Sequence, residues 1–442
     1  MMASQPFPPN ALRRAAQSFV LCILVLAAAA GGKAQVGVPF PQQLPGDENQ
    51  EPTVFDRYPP KPSLAPVLTV SFSVLGFSEP GPYYLLRRHA LVSLDFLDEN
   101  RLLFTCQKPG LVARDAASNQ QDREIRALVL ALDDQKIEAQ ASWTVPDQSR
   151  YLWMLKDGHF LLRDSDGLEQ GDATLKTEPS LRLPGRLLWI ELNPAQTILI
   201  ANSLEPGAAP QSAGEAGTSP GQAAVTTDPQ SAGAPQTLVV RTMMRDSGKV
   251  IRTLRVPWAG QTRDWPANAE GYVEFAHTTG DQWTSILNLF FGRIRNVGRP
   301  RSTCLPLGTF VTETELLLST CSMEGGGKLT AVSAANGAQL WQVKTATNET
   351  WPLVVAASGG GRLARETLLL MHPSDHYRHK KLMGAEDVMG QMVRVMDTAN
   401  GKVEFEAPLE PMFDGGGNVA ISPSGRRVAI LNDKAIEVFN LP

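Results

Sequence analysis

The chain has 442 residues, a formal net charge of −4 and 19% charged residues, which is an ordinary globular composition. A charge this close to zero, together with an aromatic content of 7%, gives no basis for nucleic-acid binding. The 37 glycines and 33 prolines favour many turns and an all-β fold over long helices.

The N-terminal segment is typical of an export signal. Arg13 and Arg14 precede an apolar run over residues 19–30, and small residues follow at the expected cleavage site. The run is short for a bilayer span, and no later segment approaches one. We therefore predict a signal peptide over 1–34, a Pro-rich tether over 35–66 and a folded body over 67–442. The sequence predicts an exported protein, periplasmic or extracellular, with no membrane span after cleavage.

The folded body is a series of short apolar strands joined by two kinds of turn. In one kind, an apolar strand leads through Asp, Asn, Ser or Gly residues into an alternating strand, as such residues do in tight hairpins. These turns lie at residues 133–136, 245–249, 334–337 and 397–402. In the other kind, a buried strand, a short turn and a second apolar strand come just before such a hairpin. Together the two units give four antiparallel strands per ~45 residues, the period of a propeller blade.

Counting these units predicts a single β-propeller of seven four-stranded blades, with six or eight left open. The predicted blades begin near His89, Tyr151, Gly185, Trp265, Ser302, Trp351 and Phe413. The last has room for three strands only, while a spare strand at residues 67–75 lies at the start of the fold. We predict that this N-terminal strand completes the last blade by pairing with residues 435–439, because closure removes exposed sheet edges.

One long segment interrupts this pattern. Residues 205–236 are rich in Gly, Ala, Pro, Ser, Thr and Gln and contain no aromatic residue. Such a composition buries too little apolar surface to offset the entropy of ordering. Because strand-like residues flank it, we predict a disordered loop inserted between two paired strands.

Two stretches resemble known propeller repeats. Residues 329–341, which end in Trp341, resemble the tryptophan-docking repeat of pyrroloquinoline-quinone-type propellers, and residues 395–402 resemble it without the tryptophan. Residues 418–429 are similar to the first two strands of a WD-repeat-like blade. The resemblance implies propeller architecture and no particular activity. Its enzymatic version would be a quinoprotein, but this chain lacks the adjacent cysteines of the quinoprotein alcohol dehydrogenases.

Signal removal leaves three cysteines, of which two can form a disulfide in an exported protein. Cys304 and Cys321 flank a predicted hairpin, and their midpoint falls between Thr312 and Glu313, at its expected turn. Residues equidistant from a turn face each other across the strands. We therefore predict a Cys304–Cys321 disulfide and a buried thiol at Cys106.

Several polar clusters are candidate sites. His372, Asp375, His376 and His379 lie in one loop, and such nitrogen and oxygen ligands suit a metal ion. The nearby Arg378, Lys380 and Lys381 disfavour a cation, so a solvated polar loop is the favoured interpretation. His89, His159 and His277 fall near blade starts or inner strands. The run Arg293, Arg295, Arg299 and Arg301 has the character either of an anion-binding strip or of an outer strand facing water.

The sequence contains no recognisable catalytic motif, and no cofactor is predicted. This favours a monomeric, non-enzymatic propeller that binds or scaffolds an unidentified protein or cell-envelope partner. The alternative is a hydrolase or oxidoreductase with its active site at the central channel. One criterion separates the two functions: an enzyme requires at least three ionisable side chains from different blades to converge at one mouth of the channel.

Overall fold

The computed structural model describes residues 61–77, 92–108, 112–115, 120–146, 150–164, 167–206, 236–258, 260, 265–322, 326–346, 349–350, 357–370, 388–409, 417–432 and 434–442. These residues contain β-strands and turns and no helix, so none of them forms an apolar helix that could cross a membrane. The strands form seven sheets, which are the blades of a seven-bladed β-propeller.

Blades 1 to 4 follow one another along the chain, each beginning with its innermost strand. Blade 1 contains β2 (Val92–Phe96), β3 (Arg101–Gln107), β4 (Val112–Asp115), β5 (Gln120–Ala131) and β6 (Ile137–Pro146). Blade 2 contains β7 (Leu152–Met154), β8 (Phe160–Arg163), β9 (Gly167–Gly171) and β10 (Thr177–Arg182). Blade 3 contains β11 (Arg186–Leu192), β12 (Ile198–Pro206), β13 (Gln236–Met244) and β14 (Val250–Pro257). Blade 4 contains β15 (Gly271–Thr279), β16 (Gln282–Leu289) and β17 (Arg295–Gly298), and an isolated Ala267–Tyr272 bridge marks its innermost position.

Blades 5 to 7 repeat this order. Blade 5 contains β18 (Leu307–Phe310), β19 (Glu315–Cys321), β20 (Gly327–Ser333) and β21 (Gln339–Lys344). Blade 6 contains β22 (Glu349–Thr350) and β23 (Ala357–Gly359), which both pair with β24 (Arg362–Leu370), followed by β25 (Val388–Asp397) and β26 (Val403–Leu409). Blade 7 contains β27 (Val419–Ile421), β28 (Arg427–Leu431), β29 (Ala435–Asn440) and β1 (Leu68–Ser71).

The ring closes as predicted. β1 pairs antiparallel with β29, with Leu68 opposite Val438 and Ser71 opposite Ala435. The pairing is shorter than the predicted strand, because the chain turns after Ser71. The chain already contacts the propeller before β1, because Ser63 forms two hydrogen bonds with Glu406 on the outer strand of blade 6.

Apolar packing lies between the blades. Seven clusters of buried apolar residues each join two neighbouring blades, and one of them joins blade 7 to blade 1. Alternation along the strands explains this arrangement, since successive side chains of one strand point toward opposite neighbours. In β24, for example, Leu363 packs toward blade 5 and Ala364 toward blade 7.

The residues around the long insertion behave as expected. β12 and β13 pair along their whole length, up to Pro206 opposite Gln236. The inserted residues 207–235 lie outside the described residues, as do the signal segment and residues 35–60 of the tether. Their predicted disorder and processing stay predictions.

The Cys304–Cys321 disulfide is present, with the two Cα atoms 5.6 Å apart. The hairpin register differs from the prediction by one residue, because Phe310 pairs with Leu316 and the turn therefore centres on Glu313. Cys304 lies before β18, outside the ladder. Thr303 N donates to the carbonyl oxygen of Cys321, and Cys321 N donates to the Ser302 hydroxyl, which brings the two cysteines within reach. Cys106 is half-buried rather than buried, because it lies near the end of β3.

Candidate active site

The inner strands of the blades define the two ends of a central channel. Because each blade starts with its innermost strand, all inner strands begin at one face, which we call the top face, and end at the bottom face. Charged residues on β2 and β11, and just before β7, therefore approach the channel from blades 1, 3 and 2.

Asp95 is the charged residue of blade 1. It lies near the end of β2, between the buried Leu94 and Phe96, and its carboxylate accepts a hydrogen bond from the Ser93 hydroxyl. Removal from water raises the pKa of the Asp95 carboxyl, while the charge of Arg150 and the Ser93 hydrogen bond lower it. The net direction is upward, so Asp95 holds its proton to higher pH than an ordinary aspartate.

Arg150 comes from the segment that enters blade 2. Its Nε donates to the carbonyl oxygen of Leu152 at 2.7 Å, and its guanidinium carbon lies 5.8 Å from the ring centroid of Trp153. Removal from water lowers the pKa of Arg150, whereas the charges of Asp95 and Glu191 raise it. Glu191 lies on β11, so the charges that act on Arg150 come from blades 1 and 3.

The three groups differ in exposure but act on one another. Arg150 is accessible to solvent, and Asp95 and Glu191 are half-buried. Desolvation is the largest influence on the pKa values of Asp95 and Arg150. The charges of Asp95 in blade 1 and Glu191 in blade 3 both act on Arg150 at the entry to blade 2, so these three blades contribute ionisable groups to one neighbourhood.

Two tryptophans form an aromatic wall beside these charges. Trp153 on β7 and Trp189 on β11 make an edge-to-face contact with ring centroids 6.1 Å apart, as aromatic pairs prefer. Arg163 also lies over Trp153, at 5.5 Å, and donates to the carbonyl oxygen of Leu188. The two tryptophans thus join blade 2 to blade 3.

The bottom face is tied together by one carboxylate. Glu313, at the turn between β18 and β19, accepts hydrogen bonds from Asn193 Nδ2 at 2.8 Å and from the backbone nitrogens of Ala195 and Ala269 at 2.6 and 2.5 Å. Its own carbonyl oxygen accepts from Asn268 Nδ2 at 2.9 Å. Turns of blades 3, 4 and 5 are thereby joined, which holds the bottom of the channel in shape next to Glu191.

A second buried charged position lies on β24, away from these groups. Glu366 is fully buried, and its Oε2 accepts from Gln391 Nε2 at 2.6 Å. Among the described residues, its Oε1 has no hydrogen-bond partner. Burial raises the pKa of Glu366 to about 8, and the charge of Arg365 only partly opposes this. The neighbouring Arg365 donates from Nη2 to the Ser319 hydroxyl at 3.2 Å.

The structure describes only some of the residues that the sequence proposed as sites. The predicted metal ligands His372, Asp375, His376 and His379 lie outside the described residues, as does His89. His159 Nδ1 lies 3.2 Å from Asp157 Oδ1 in a turn at the bottom face. His277 Nε2 lies 2.9 Å from the carbonyl oxygen of Gly280.

The arginine run has the character of an outer strand. Arg293, Arg299 and Arg301 are exposed, whereas Arg295 is half-buried and pairs with Glu270 at 2.8 Å. Asp95, Arg150 and Glu191, by contrast, were not predicted. The local signal for Asp95 was that it is the single charged residue of the inner strand β2.

Comparison with known proteins gives no family. No family model and no curated protein matches the sequence. Among solved structures, the acylaminoacyl peptidase of Pyrococcus horikoshii is 12% identical with a TM-score of 0.44, over 79% of this chain and 51% of that one. A puromycin-hydrolyzing peptidase of Mycobacterium tuberculosis is 16% identical with a TM-score of 0.44, over 82% and 54% of the two chains. The β-propeller domain of the Trilobed protease from Pyrococcus furiosus is 11% identical with a TM-score of 0.41, over 79% and 95%.

These likenesses are likenesses of fold, and the chain spans about half the length of the two peptidases. They nevertheless correct one prediction. The sequence favoured a non-enzymatic binding or scaffold module, whereas these three similar structures are two peptidases and a protease propeller, the hydrolase class that the sequence kept as its alternative.

Proposed function

We propose that the protein is a hydrolase whose active centre lies in the central channel, with Asp95 and Glu191 as proton-transferring carboxylates and Arg150 as a substrate-positioning group. The observation that carries this proposal is that the charges of Asp95 in blade 1 and Glu191 in blade 3 both act on Arg150 at the entry to blade 2. Charged side chains are costly to enclose within protein, so a fold has little reason to gather them without a use for their charge.

The chemistry follows from the different surroundings of the two carboxylates. Asp95, whose pKa is raised, keeps a proton that it donates to the leaving group as the scissile bond breaks. Glu191, when ionised, accepts a proton from the attacking water, whose oxygen forms the new bond. Arg150 is the positively charged group on which both carboxylates act. Its guanidinium stabilises negative charge that develops on the substrate. The scissile bond gains the elements of one water molecule, and no other reactant is needed.

A panel of chromogenic substrates tests this proposal. Peptidyl p-nitroanilides, p-nitrophenyl esters and p-nitrophenyl glycosides cover the main classes of hydrolysis. We expect the full chain to hydrolyse one class, and Asp95→Asn and Glu191→Gln each to lower kcat by 10²-fold or more, as lost general acid–base catalysis does. Glu178→Gln, an exposed carboxylate on the outer strand of blade 2, is the matched control and leaves kcat unchanged.

The pH profile is an independent readout. Asp95 acts in its protonated form, so kcat/KM falls as the pH rises through its raised pKa, and Asp95→Asn removes this limb. Failure to hydrolyse any of the three substrate classes, or a kcat that survives both carboxylate substitutions, would contradict the proposal.

We also infer that blade 5 is a tryptophan-docking repeat of the pyrroloquinoline-quinone type. In its support, Trp341 on β21 donates from Nε1 to the carbonyl oxygen of Thr398 in blade 6, at 2.7 Å. Its ring lies over Gly401, where an added Cβ would come within 2.5 Å of the indole, and the positive φ of +73° also favours glycine. For blade 7 we infer a WD-repeat-like pattern, supported by the tight turn between β27 and β28.

Export also remains our proposal. The Cys304–Cys321 disulfide is compatible with it, because such bonds persist in oxidising compartments.

A further inference from the structure

The turn between β16 and β17 in blade 4 presents large apolar side chains to solvent. Phe291 is 87% exposed and Ile294 is 69% exposed. Gly292 and Arg293 lie between them and are exposed as well. We call residues 290–294 the blade 4 tip. Adjoining exposed apolar side chains, unlike scattered ones, mark a surface that contacts a membrane or another molecule.

The corresponding turns of the other blades are polar. In blades 1, 2, 3, 5 and 6 the turn between the last two strands lies at residues 132–136, 172–176, 245–249, 334–338 and 398–402. The large apolar residues of these five turns are Leu132 and Leu175, and both are buried. A turn at this position of a blade therefore needs no exposed apolar side chain, and the repeat does not explain Phe291 and Ile294.

The base of the blade 4 tip is held by hydrogen bonds and ring packing. Phe290 N donates to the carbonyl oxygen of Glu270 at 2.8 Å, and the Phe290 ring lies 6.3 Å from that of Tyr272. Because Glu270 follows the innermost position of blade 4, the tip lies at the bottom face. Arg295 Nη1 donates to Glu270 Oε2 at 2.8 Å and to the carbonyl oxygen of Ala334 in blade 5 at 3.2 Å. A fixed base with a protruding centre loses little conformational entropy when it binds.

The size and charge of the tip fit a lipid bilayer better than a protein. A large aromatic side chain buries about 150–250 Å², so Phe291 and Ile294 offer far less than the ~800 Å² that each partner gives to a stable protein interface. A bilayer needs no matching pocket, and binding to it follows the buried apolar area and the attraction of basic groups to anionic lipid. The exposed Arg293 supplies that attraction, since a guanidinium binds phosphate. Glu270 does not oppose it, because its carboxylate pairs with Arg295.

We propose that the blade 4 tip inserts Phe291 and Ile294 into the interface of an anionic membrane, with Arg293 on the lipid phosphates. Two apolar side chains and one charge give a peripheral, reversible contact. The contact turns the bottom face of the propeller toward the lipid and leaves the top face open. No residue assigned to hydrolysis takes part, so the membrane contact and the hydrolase function are independent.

Vesicle sedimentation of the chain from residue 35 tests the proposal. Residues 1–34 are left out because their apolar run would itself enter lipid, and the described fold begins at residue 61. One set of vesicles is phosphatidylcholine alone, and the other contains phosphatidylglycerol and phosphatidylcholine in equal parts. We expect binding to the anionic vesicles, and this binding should weaken as salt rises.

Two variants assign the binding to the tip. Phe291→Ser should weaken binding about tenfold or more, because the variant loses the burial of an aromatic ring. Arg293→Gln should weaken binding to the anionic vesicles about fivefold and leave binding to phosphatidylcholine unchanged. Both side chains are exposed, so neither variant should change the thermal melt.

Two exposed residues away from the tip are the matched controls. Val74→Ser removes an apolar side chain that is 70% exposed just after β1, at the top face, and Arg299→Gln removes an exposed guanidinium of blade 4. Neither should change binding. Absence of binding to both sets of vesicles, or equal binding of wild type and Phe291→Ser, would overturn the proposal. A dimer that Phe291→Ser abolishes, without vesicle binding, would also overturn it and would assign the tip to a second copy of the chain.

Discussion

The buried carboxyl of Glu366 makes the stability of the propeller depend on pH in an unusual direction. Its pKa rises from an ordinary value of 4.5 to about 8 in the folded protein. A group whose folded pKa is raised stabilises the fold fully below its unfolded pKa, and this stabilisation is lost as the pH rises through the folded value. Between pH 5 and pH 8, the free energy of unfolding should therefore fall, whereas paired surface carboxylates would make it rise.

The size of the effect follows from the two pKa values. Each pH unit between them is worth about 1.4 kcal/mol, so the difference contributes on the order of 3–4 kcal/mol between pH 5 and pH 8. Glu366→Gln removes the titrating proton and retains an oxygen that accepts from Gln391 Nε2. We expect the variant to lose this pH dependence and to be more stable than the wild type at pH 8.

Urea unfolding followed by tryptophan fluorescence at pH 5, 6, 7 and 8 measures this directly. The quantity of interest is the difference in free energy of unfolding between wild type and Glu366→Gln at each pH, because other titrations cancel in it. Glu178→Gln, exposed on the outer strand of blade 2, serves as the control and shows no trend. A wild-type minus variant difference that stays constant from pH 5 to pH 8 would refute the reasoning.

Two further predictions concern the strand that closes the ring and the disulfide of blade 5. Deleting residues 35–80 should lower the free energy of unfolding by about 5 kcal/mol or more relative to deleting 35–60, because Val70, Phe72 and Leu75 are only 1–3% exposed and each large apolar side chain contributes roughly 1.5–3 kcal/mol; equal thermal melts would argue against closure. The double variant Cys304→Ser, Cys321→Ser should lose at most about 3 kcal/mol for a loop of this separation, which is 17 residues. Non-reducing peptide mapping of the wild type should find the 304–321 linkage, and a bridge to Cys106 would contradict it.

Local patterns in the sequence were enough to predict the blades. Hairpin turns such as residues 397–402 depend on neighbouring residues alone, and so does the alternation of β2. The completing strand could be predicted because a three-strand last blade and a spare N-terminal strand fit one rule about sheet edges. The one-residue error at the Cys304–Cys321 hairpin came from placing the turn by symmetry, while the actual register centres on Glu313.

The site could not be predicted in the same way. Asp95, Arg150 and Glu191 are far apart in the chain, and only the spacing and rotation of the blades bring their charges together. Glu366 was missed for a related reason. The sequence of β24, with Arg365, Glu366 and Thr367 in succession, has the polarity of an exposed strand, yet all three are fully buried between blades.

The pairing of β1 with β29 also sets the order of events when the chain folds. These partners lie about 370 residues apart, so the strand that is synthesised first waits for the strand that is synthesised last. The cluster that joins blade 7 to blade 1 cannot form before then, and such distant pairings slow folding. Until it forms, β29 presents an open edge to any β1 within reach, including that of another molecule. We expect refolding at low protein concentration to give closed single rings, and refolding at high concentration to give chains that have exchanged their first strands.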